Sequence, residues 1–217
     1  EKIMTGLPGY VVVVLIMQLL WWFGIHGPNV MSAVTTPFMT KMMATNLELY
    51  QSGEGVTSAG VFYSAGSQYN IISGPFGAGW FSSTGSGITM GLIIAVMLFS
   101  KRDDFKAIAK LAIPCGLFNI NEPIIFGIPM VMNAMFAVPF FLAPVACVCC
   151  GYLVQSLGLC PLFIIDVPWT TPVGLFGFLA SSGNIMGGIW QIVIIVGVST
   201  LIYTPFVIAA NRQTEEA

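Results

Sequence analysis

The sequence has 217 residues, of which 56% are hydrophobic and only 7% are charged, and its formal net charge is −2. A soluble domain carries about 25% charged residues, so this composition excludes a water-soluble globule. It also excludes a basic surface for nucleic acid. The apolar residues form continuous runs instead of the alternating pattern of a barrel, which predicts an all-α integral membrane protein.

The start of the chain contains one apolar span followed by a break. Residues 6–23 are apolar, and at ~1.5 Å per residue a helix of this length nearly crosses a bilayer core of ~30 Å. Two glycines and a proline at 24–28 then predict a helix end. We predict an amphipathic or partly inserted helix over 29–50 and a loop over 51–70.

Two segments are too interrupted to cross a membrane as regular helices. Residues 74–91 are rich in glycine, and residues 158–182 carry several prolines together with Asp166, Thr170 and Thr171. Interrupted helices at membrane depth surround the substrate in many transporters. We therefore predict two re-entrant helical hairpins, the second of them over residues 158–182. The interruptions around Glu122 and around Trp169 occupy loosely corresponding places along the chain.

The remaining apolar segments predict helices over 88–99, 107–120, 134–157 and 187–210. Pro139 and Pro144 should kink the third of these. The connection at 100–110 holds four of the seven Lys and Arg residues, so the positive-inside rule places it in the cytoplasm.

The strongest polar signal is Glu122, within the interruption at residues 119–123. A carboxylate in a membrane segment is costly and tends to face a cavity, a partner or a pathway. Asn119 and Asn121 can donate and accept hydrogen bonds around the break. The alternative is a structural carboxylate at a helix start.

Aromatic and imidazole side chains supply the other candidates. His26, the only histidine, could hydrogen-bond a sugar hydroxyl or accept a proton, or else be a satisfied histidine at the membrane interface. Trp21, Trp22 and Trp169 could stack on a sugar ring, or else belong to an interfacial aromatic belt.

We expect neither a metal nor a cofactor. The five cysteines lie in apolar surroundings, and those at 147, 149 and 150 lack the spacing of a zinc site, which favours buried, inert thiols. Asp166 fits a loop carboxylate in water.

Three motifs occur in order along the chain: WWFGIHG at 21–27, FNINEPIIFG at 118–127 and VPWTTP at 167–172. Together they closely resemble the lactose/cellobiose/chitobiose family of enzyme IIC permeases of the bacterial phosphotransferase system. The resemblance covers nearly the whole chain. It implies that residues 1–217 form a substrate-binding transmembrane domain. This domain would be a fragment, without the N-terminal helices, of a longer multi-pass permease of the bacterial inner membrane.

The resemblance also implies an activity and partners. The permease would bind a disaccharide of cellobiose, chitobiose or lactose type and translocate it. It would act as a sugar phosphotransferase component only together with phosphorylated IIB, with IIA upstream, and the full-length protein would form a homodimer. Residue by residue, it implies catalytic roles for Glu122 and His26 and substrate-binding roles for Trp21, Asn121, Trp169, Gly85, Ser86 and Gly87.

The residues by themselves leave two other functions open. An ion-coupled secondary sugar transporter would use Glu122 or Asp166 as its proton carrier and would not phosphorylate the sugar. A structural membrane subunit would bind no ligand, although it would then carry polar groups at membrane depth without compensation.

Overall fold

The computed structural model describes residues 6–58 and 60–215. Most of this part of the chain is helical, which confirms the predicted predominance of helix. The helices are α1 (Leu7–Trp22), α2 (Gly27–Gln51), α3 (Gly74–Trp80), α4 (Met90–Phe99), α5 (Asp103–Leu117), α6 (Glu122–Gly127), α7 (Ala134–Ser156), α8 (Leu175–Ala180), α9 (Ile185–Ile192) and α10 (Ser199–Glu215). A π-helical turn, Val193–Val198, joins α9 to α10.

Within the described part of the chain, two helical stretches are long and apolar enough to cross a membrane: Ala134–Ser156 and Ile185–Asn211, the second running through the π-helical turn. They correspond to the predicted spans at 134–157 and 187–210. Helices α1 and α4 are also apolar but shorter, with 16 and 10 residues. The break predicted after residue 23 is present, because α1 ends at Trp22 and α2 begins at Gly27.

The loop predicted over 51–70 contains a small antiparallel hairpin. Its strands, β1 (Val56–Thr57) and β2 (Gly60–Val61), have two residues each. The amide of Leu162 donates to the carbonyl of Val61 at 2.8 Å, so the hairpin contacts the proline-rich segment. Strands this short leave no alternating pattern in the sequence, and the prediction of a plain loop was therefore incomplete.

The predicted basic connection is mostly helix. Helix α5 begins at Asp103 and already includes residues 103–110. Asp103 and Asp104 occupy its first turn, where negative charge interacts favourably with the helix dipole. Arg102 donates to Asp104 at 2.5 and 3.1 Å, and this hydrogen bond lowers the pKa of the Asp104 carboxyl. The charges therefore mark the start of a helix within the predicted connection.

The buried side chains form two apolar clusters. The first surrounds Trp80, whose ring stacks on Phe163 with the centroids 5.0 Å apart and the planes at 8°. The second contains Phe136, Phe140 and Tyr203. The glycine-rich turn of residues 81–89 lies against both clusters, since its Ile88 belongs to the first and its Gly87 contacts Phe140 of the second.

The last long helix packs closely on α4. A side chain at Gly91 would collide with Ser199, so the glycine permits the two helices to approach each other. The Ser199 hydroxyl donates to the carbonyl of Ile195 within the π-helical turn. One helical turn further on, the Tyr203 hydroxyl donates to the carbonyl of Gly87 at 2.7 Å. These contacts fix the glycine-rich turn against the last helix.

Candidate functional site

A cavity of about 770 Å³ collects most of the residues that the sequence predicts for the site. It lies where the α1–α2 corner, the glycine-rich turn, the α5–α6 break and the proline-rich segment meet. The predicted residues that line it are Trp21, His26, Gly85, Ser86, Asn121, Glu122 and Trp169, joined by Pro28, Asn29, Ser82, Asn119, Ile120 and Pro123.

The α1–α2 corner positions His26. The residue is the N-cap of α2, and its Nδ1 accepts a hydrogen bond from the amide of Asn29 at 3.2 Å. A nitrogen that accepts this bond carries no proton, so in the neutral ring the proton is on Nε2. The imidazole lies beside the Trp21 indole, with ring centroids 4.8 Å apart and planes at 51°. His26 thus has one nitrogen left for a ligand.

The glycine-rich turn fits tightly against the α5–α6 break. Thr84, Gly85, Gly87 and Ile88 all have positive φ, which gives the turn its sharp path. A side chain at Gly85 would overlap the side chain of Asn121, so only glycine permits this approach. The Asn121 amide donates to the carbonyl of Ser86 at 2.5 Å. Asn121 therefore supports the pocket wall as well as facing the cavity.

Asn119 connects three segments around the cavity. Its Oδ1 accepts from the amide of Thr84 at 2.6 Å. Its Nδ2 donates to the carbonyls of Trp169 at 2.5 Å and Thr171 at 2.9 Å. Its φ of +66° lies in the left-handed region, which asparagine tolerates better than most residues. The α5–α6 break therefore joins the glycine-rich turn to the proline-rich segment.

Glu122 and Trp169 occupy different parts of the cavity wall. Glu122 is the first residue of α6, partly buried and on the lining, so it combines a helix-start position with access to the pocket. The Trp169 side chain is 60% exposed. Asp166 is exposed and is not part of the lining, as expected for a loop carboxylate in water.

Gly87 is the predicted site residue that the cavity does not include. It is buried, Phe140 fills the space where its side chain would be, and its carbonyl is bound by Tyr203. Gly85 and Ser86 border the cavity, whereas Gly87 borders the core. Its contacts indicate a packing position behind the wall.

Gln191, like Asn119, connects separate segments through its side-chain amide, and we call it a clamp. The sequence did not identify it. Its Oε1 accepts from the amides of Gly174 at 2.8 Å and Gly177 at 2.7 Å. Its Nε2 donates to the carbonyl of Gly79 at 3.1 Å and the hydroxyl of Ser83 at 3.0 Å. The available signal was a lone glutamine within an apolar span, which must find partners inside the protein.

The lining groups suit a neutral ligand with many hydroxyl groups. Among the described residues that line the cavity, Glu122 is the one with a carboxyl group, and His26 provides an imidazole. Two indoles offer flat apolar faces, and amide, hydroxyl and backbone groups surround them. These features, with the long apolar helices, define a helical membrane protein that has a pocket for a small polar solute.

Comparison with known proteins identifies the family. Residues 2–144 match the model of the family described as "Phosphotransferase system, EIIC". The chain belongs to this family of membrane-embedded sugar permease components, as its three motifs predicted.

Relatives agree with this family. The cellobiose-specific EIIC component of Lactococcus lactis subsp. lactis (strain IL1403) is 36% identical over 215 residues, covering 94% of this chain and 43% of the relative. The lactose-specific EIICB component of Staphylococcus aureus is 32% identical, covering 95% of this chain and 34% of the relative.

A solved structure is also similar. The crystal structure of the transporter ChbC, the IIC component from the N,N'-diacetylchitobiose-specific phosphotransferase system, aligns with a TM-score of 0.85 and 32% identity. The alignment covers 96% of this chain and 46% of ChbC. The chain thus spans less than half the length of each of these relatives.

Proposed function

We propose that residues 1–217 are the substrate-binding transmembrane domain of a longer EIIC permease. The permease binds a disaccharide of cellobiose, chitobiose or lactose type, translocates it and presents it for phosphorylation by phosphorylated IIB. The observation that supports this most strongly is the single cavity that brings Glu122, His26, Trp21 and Trp169 together. Its volume of about 770 Å³ is within the range of small-molecule sites, ~300–1,000 Å³.

The two indoles hold the sugar ring in this proposal. Trp21 is 5% exposed and supplies a mostly buried part of the cavity wall, whereas Trp169 is largely exposed and can adjust to the ligand. The apolar C–H faces of a pyranose stack on such rings. Ser86 and Asn121 then receive the hydroxyl groups, with the Asn121 amide already oriented by its bond to Ser86.

Glu122 and His26 act on the hydroxyl that receives the phosphoryl group, the 6-hydroxyl of the sugar. Glu122 takes the hydroxyl proton as the oxygen attacks the phosphorus of the IIB phosphocysteine. The new O–P bond forms while the S–P bond breaks, and the cysteine leaves as a thiolate. His26 orients the hydroxyl by donating from Nε2 to its oxygen. The protein contributes chiefly positioning, as expected for phosphoryl transfer.

The two interrupted segments form re-entrant hairpins in the proposed membrane arrangement. Helices α3 and α8 have seven and six residues, so at ~1.5 Å per residue each covers about a third of a ~30 Å bilayer core. Each segment must therefore enter and leave on the same side. Asn119 and Gln191 connect the two hairpins at the pocket.

We further propose a multi-pass arrangement with residues 100–110 in the cytoplasm, where IIB docks. Lys101, Arg102, Lys106 and Lys110 lie there, close to the end of α4. The name of the staphylococcal relative, an EIICB component, joins a C and a B component. By the family resemblance, the full-length permease is a homodimer and IIA supplies IIB with phosphate.

The proposal predicts a specific defect for Glu122→Gln. Without the carboxylate the permease should still fold and bind sugar, with affinity unchanged or reduced, but phosphorylation should fall by about 10²-fold or more, as is typical on loss of a general base. Purified permease in proteoliposomes, with phosphorylated IIB and radiolabelled cellobiose, lactose or N,N'-diacetylchitobiose, would measure both. Asp166→Asn is the matched control, because that carboxylate is exposed and outside the cavity.

The same assay separates the proposal from its alternatives. Normal phosphorylation by Glu122→Gln would contradict the role of the carboxylate. Uptake of free sugar without IIB, abolished by an uncoupler, would show ion-coupled transport. No saturable binding of any of the three sugars would contradict the proposed disaccharide substrate.

A further inference from the structure

Gln18 is a fully buried side chain whose amide has no partner. It lies on the inward face of α1, together with Val14, Met17 and Trp21, and its relative exposure is 0%. Among the described residues, neither its Oε1 nor its Nε2 has a hydrogen-bond partner. Burying an amide without a partner costs free energy, so a structural role gives this residue no benefit.

The other two buried glutamines behave differently. Gln191 makes four hydrogen bonds. Gln155 donates from Nε2 to the carbonyl of Pro161 at 2.9 Å, while its Oε1 has no partner among the described residues. The side-chain amides of Gln155 and Gln191 therefore each have at least one hydrogen-bond partner. Among the described buried glutamines, Gln18 is the one in which both the Oε1 and the Nε2 atoms have no partner.

The position of Gln18 connects it to the cavity. Trp21 follows three residues later, on the same face of α1. Helical side chains lean toward the helix N-terminus, so the Trp21 ring covers the surface beside Gln18. Trp21 lines the cavity, and among the described residues its own Nε1 is buried without a partner. Two unpartnered polar groups thus occur on the same face of α1, of which the Trp21 ring borders the pocket and Gln18 is fully buried outside the lining.

We infer that Gln18 is a specificity-determining residue, whose amide binds one ring hydroxyl of the sugar that stacks on Trp21, with the Trp21 N–H as its neighbour. The inference rests on the proposed function. A hydroxyl both donates and accepts, which matches the NH₂ and C=O groups of an amide. Gln18 lies behind the indole, and the contact forms when that ring turns to stack on the sugar.

Gln18→Leu tests the inference, because leucine retains most of the volume and removes both polar atoms. Without sugar, we expect the melting temperature to stay equal or to rise, since an uncompensated amide is lost. The dissociation constant for the preferred disaccharide should rise about tenfold. Calorimetry on the purified permease in nanodiscs measures both. Gln155→Leu is the matched control, expected to lower the melting temperature and leave sugar affinity unchanged.

Monodeoxy analogues of the disaccharide give a second readout. The wild type should lose affinity for one analogue, and Gln18→Leu should no longer distinguish that analogue from the parent sugar. Gln18→Asn, which shortens the amide by one carbon, should show the same loss of discrimination if the leucine variant does not fold.

Three outcomes would overturn the inference. Affinity of Gln18→Leu within twofold of wild type, with normal sugar binding by wild type, would contradict only the role of Gln18. A lower melting temperature without any change in analogue discrimination would point to a buried water as the partner. Absence of sugar binding by the wild type would overturn the proposed function as well.

Discussion

His26 combines two tasks in one side chain. Its Nδ1 closes the first turn of α2 through the Asn29 amide, and its ring lies beside Trp21 on the cavity wall. The helix cap fixes which nitrogen remains for the ligand. A structural contact and a proposed catalytic contact are therefore coupled in the same imidazole.

Substitution by asparagine should separate these tasks. Asparagine is among the best N-cap residues, so His26→Asn should keep the melting temperature near wild type, whereas His26→Ala should cost about 1 kcal/mol of stability. Both variants should phosphorylate sugar at least tenfold more slowly, since both lack the ring. Thermal unfolding and the phosphorylation assay would measure this pair. Full activity of His26→Asn would show that the imidazole acts only as a cap.

Part of the site could be predicted from single residues. Polar side chains inside apolar runs are costly, so Glu122 and His26 were visible candidates, and the cavity contains both. Their chemical roles stay predictions. The hydrogen bonds by which Asn119 joins the glycine-rich turn to the proline-rich segment could not be predicted from the sequence. Their partners lie 35 to 52 residues away along the chain. Gly87 faces the core because of the path of a tight turn, which composition does not reveal.

At the scale of secondary-structure elements, one glutamine holds the two proposed hairpin segments together. Gln191 on α9 binds both the α3 region and the start of α8. These segments carry Ser82, Gly85 and Ser86 on one side of the cavity and Trp169 on the other. Because neither short helix is stable alone, the pocket walls need this clamp.

Gln191→Leu should therefore damage both stability and binding. It leaves the amides of Gly174 and Gly177 without the partner they have in the wild type, at ~1–3 kcal/mol for each buried group. The carbonyl of Gly79 keeps the hydroxyl of Ser83 at 2.8 Å. We expect a loss of at least ~2 kcal/mol and weaker sugar binding. Denaturant unfolding and sugar titration would test this, with Gln155→Leu as the single-bond control. Equal stability of the two variants would contradict the clamp.

Long elements were easier to predict than short ones. Continuous apolar runs identified α7 and the last long helix, whose boundaries agree within a few residues with the prediction. The two-residue strands gave no periodic signal. The early start of α5 was missed because charges were interpreted as a connection, although Asp103 and Asp104 also suit a helix N-terminus.

The whole molecule has two ends, defined by its last helix. At one end, Asn211 donates to the carbonyl of Phe99 at 2.9 Å and accepts from the amide of Lys101 at 2.8 Å. At the other, just before α9, Ser182 is hydrogen-bonded to Tyr50 at 2.6 Å. The 27 residues of Ile185–Asn211 cover ~40 Å at ~1.5 Å each, enough to separate these ends by a bilayer.

This arrangement predicts opposite accessibility for two exposed positions, Lys110 in α5 and Glu54 after α2. A cysteine introduced by Lys110→Cys should react with a membrane-impermeant maleimide only in inside-out vesicles. One introduced by Glu54→Cys should react only in intact cells. Both positions are exposed, so their reactivity reports the side of the membrane. The parent protein provides the background from the five native cysteines. Labelling of both variants from the same side would contradict the proposed topology.

The family was predictable at this scale, whereas the arrangement of the two ends was not. Three local motifs were enough to indicate the EIIC family. Residues 52–58 and 100–102 lie at opposite ends of the last helix because of tertiary hydrogen bonds. One of these joins Asn211 to Phe99, which are 112 residues apart in the sequence. The charge count predicts the membrane side of residues 100–110, whereas the expected side of residues 52–58 depends on tertiary contacts that the sequence does not reveal.

The π-helical turn Val193–Val198 limits which residue insertions and deletions the last helix tolerates. A π turn amounts to one residue inserted into an α-helix, and it sets the rotation of everything after it. Deleting a residue there would turn the following side chains by about 100°. Ser199 would then leave Gly91, and Tyr203 would leave Gly87. A homologue one residue shorter at this point would need a different set of side chains along the whole distal half of its last helix.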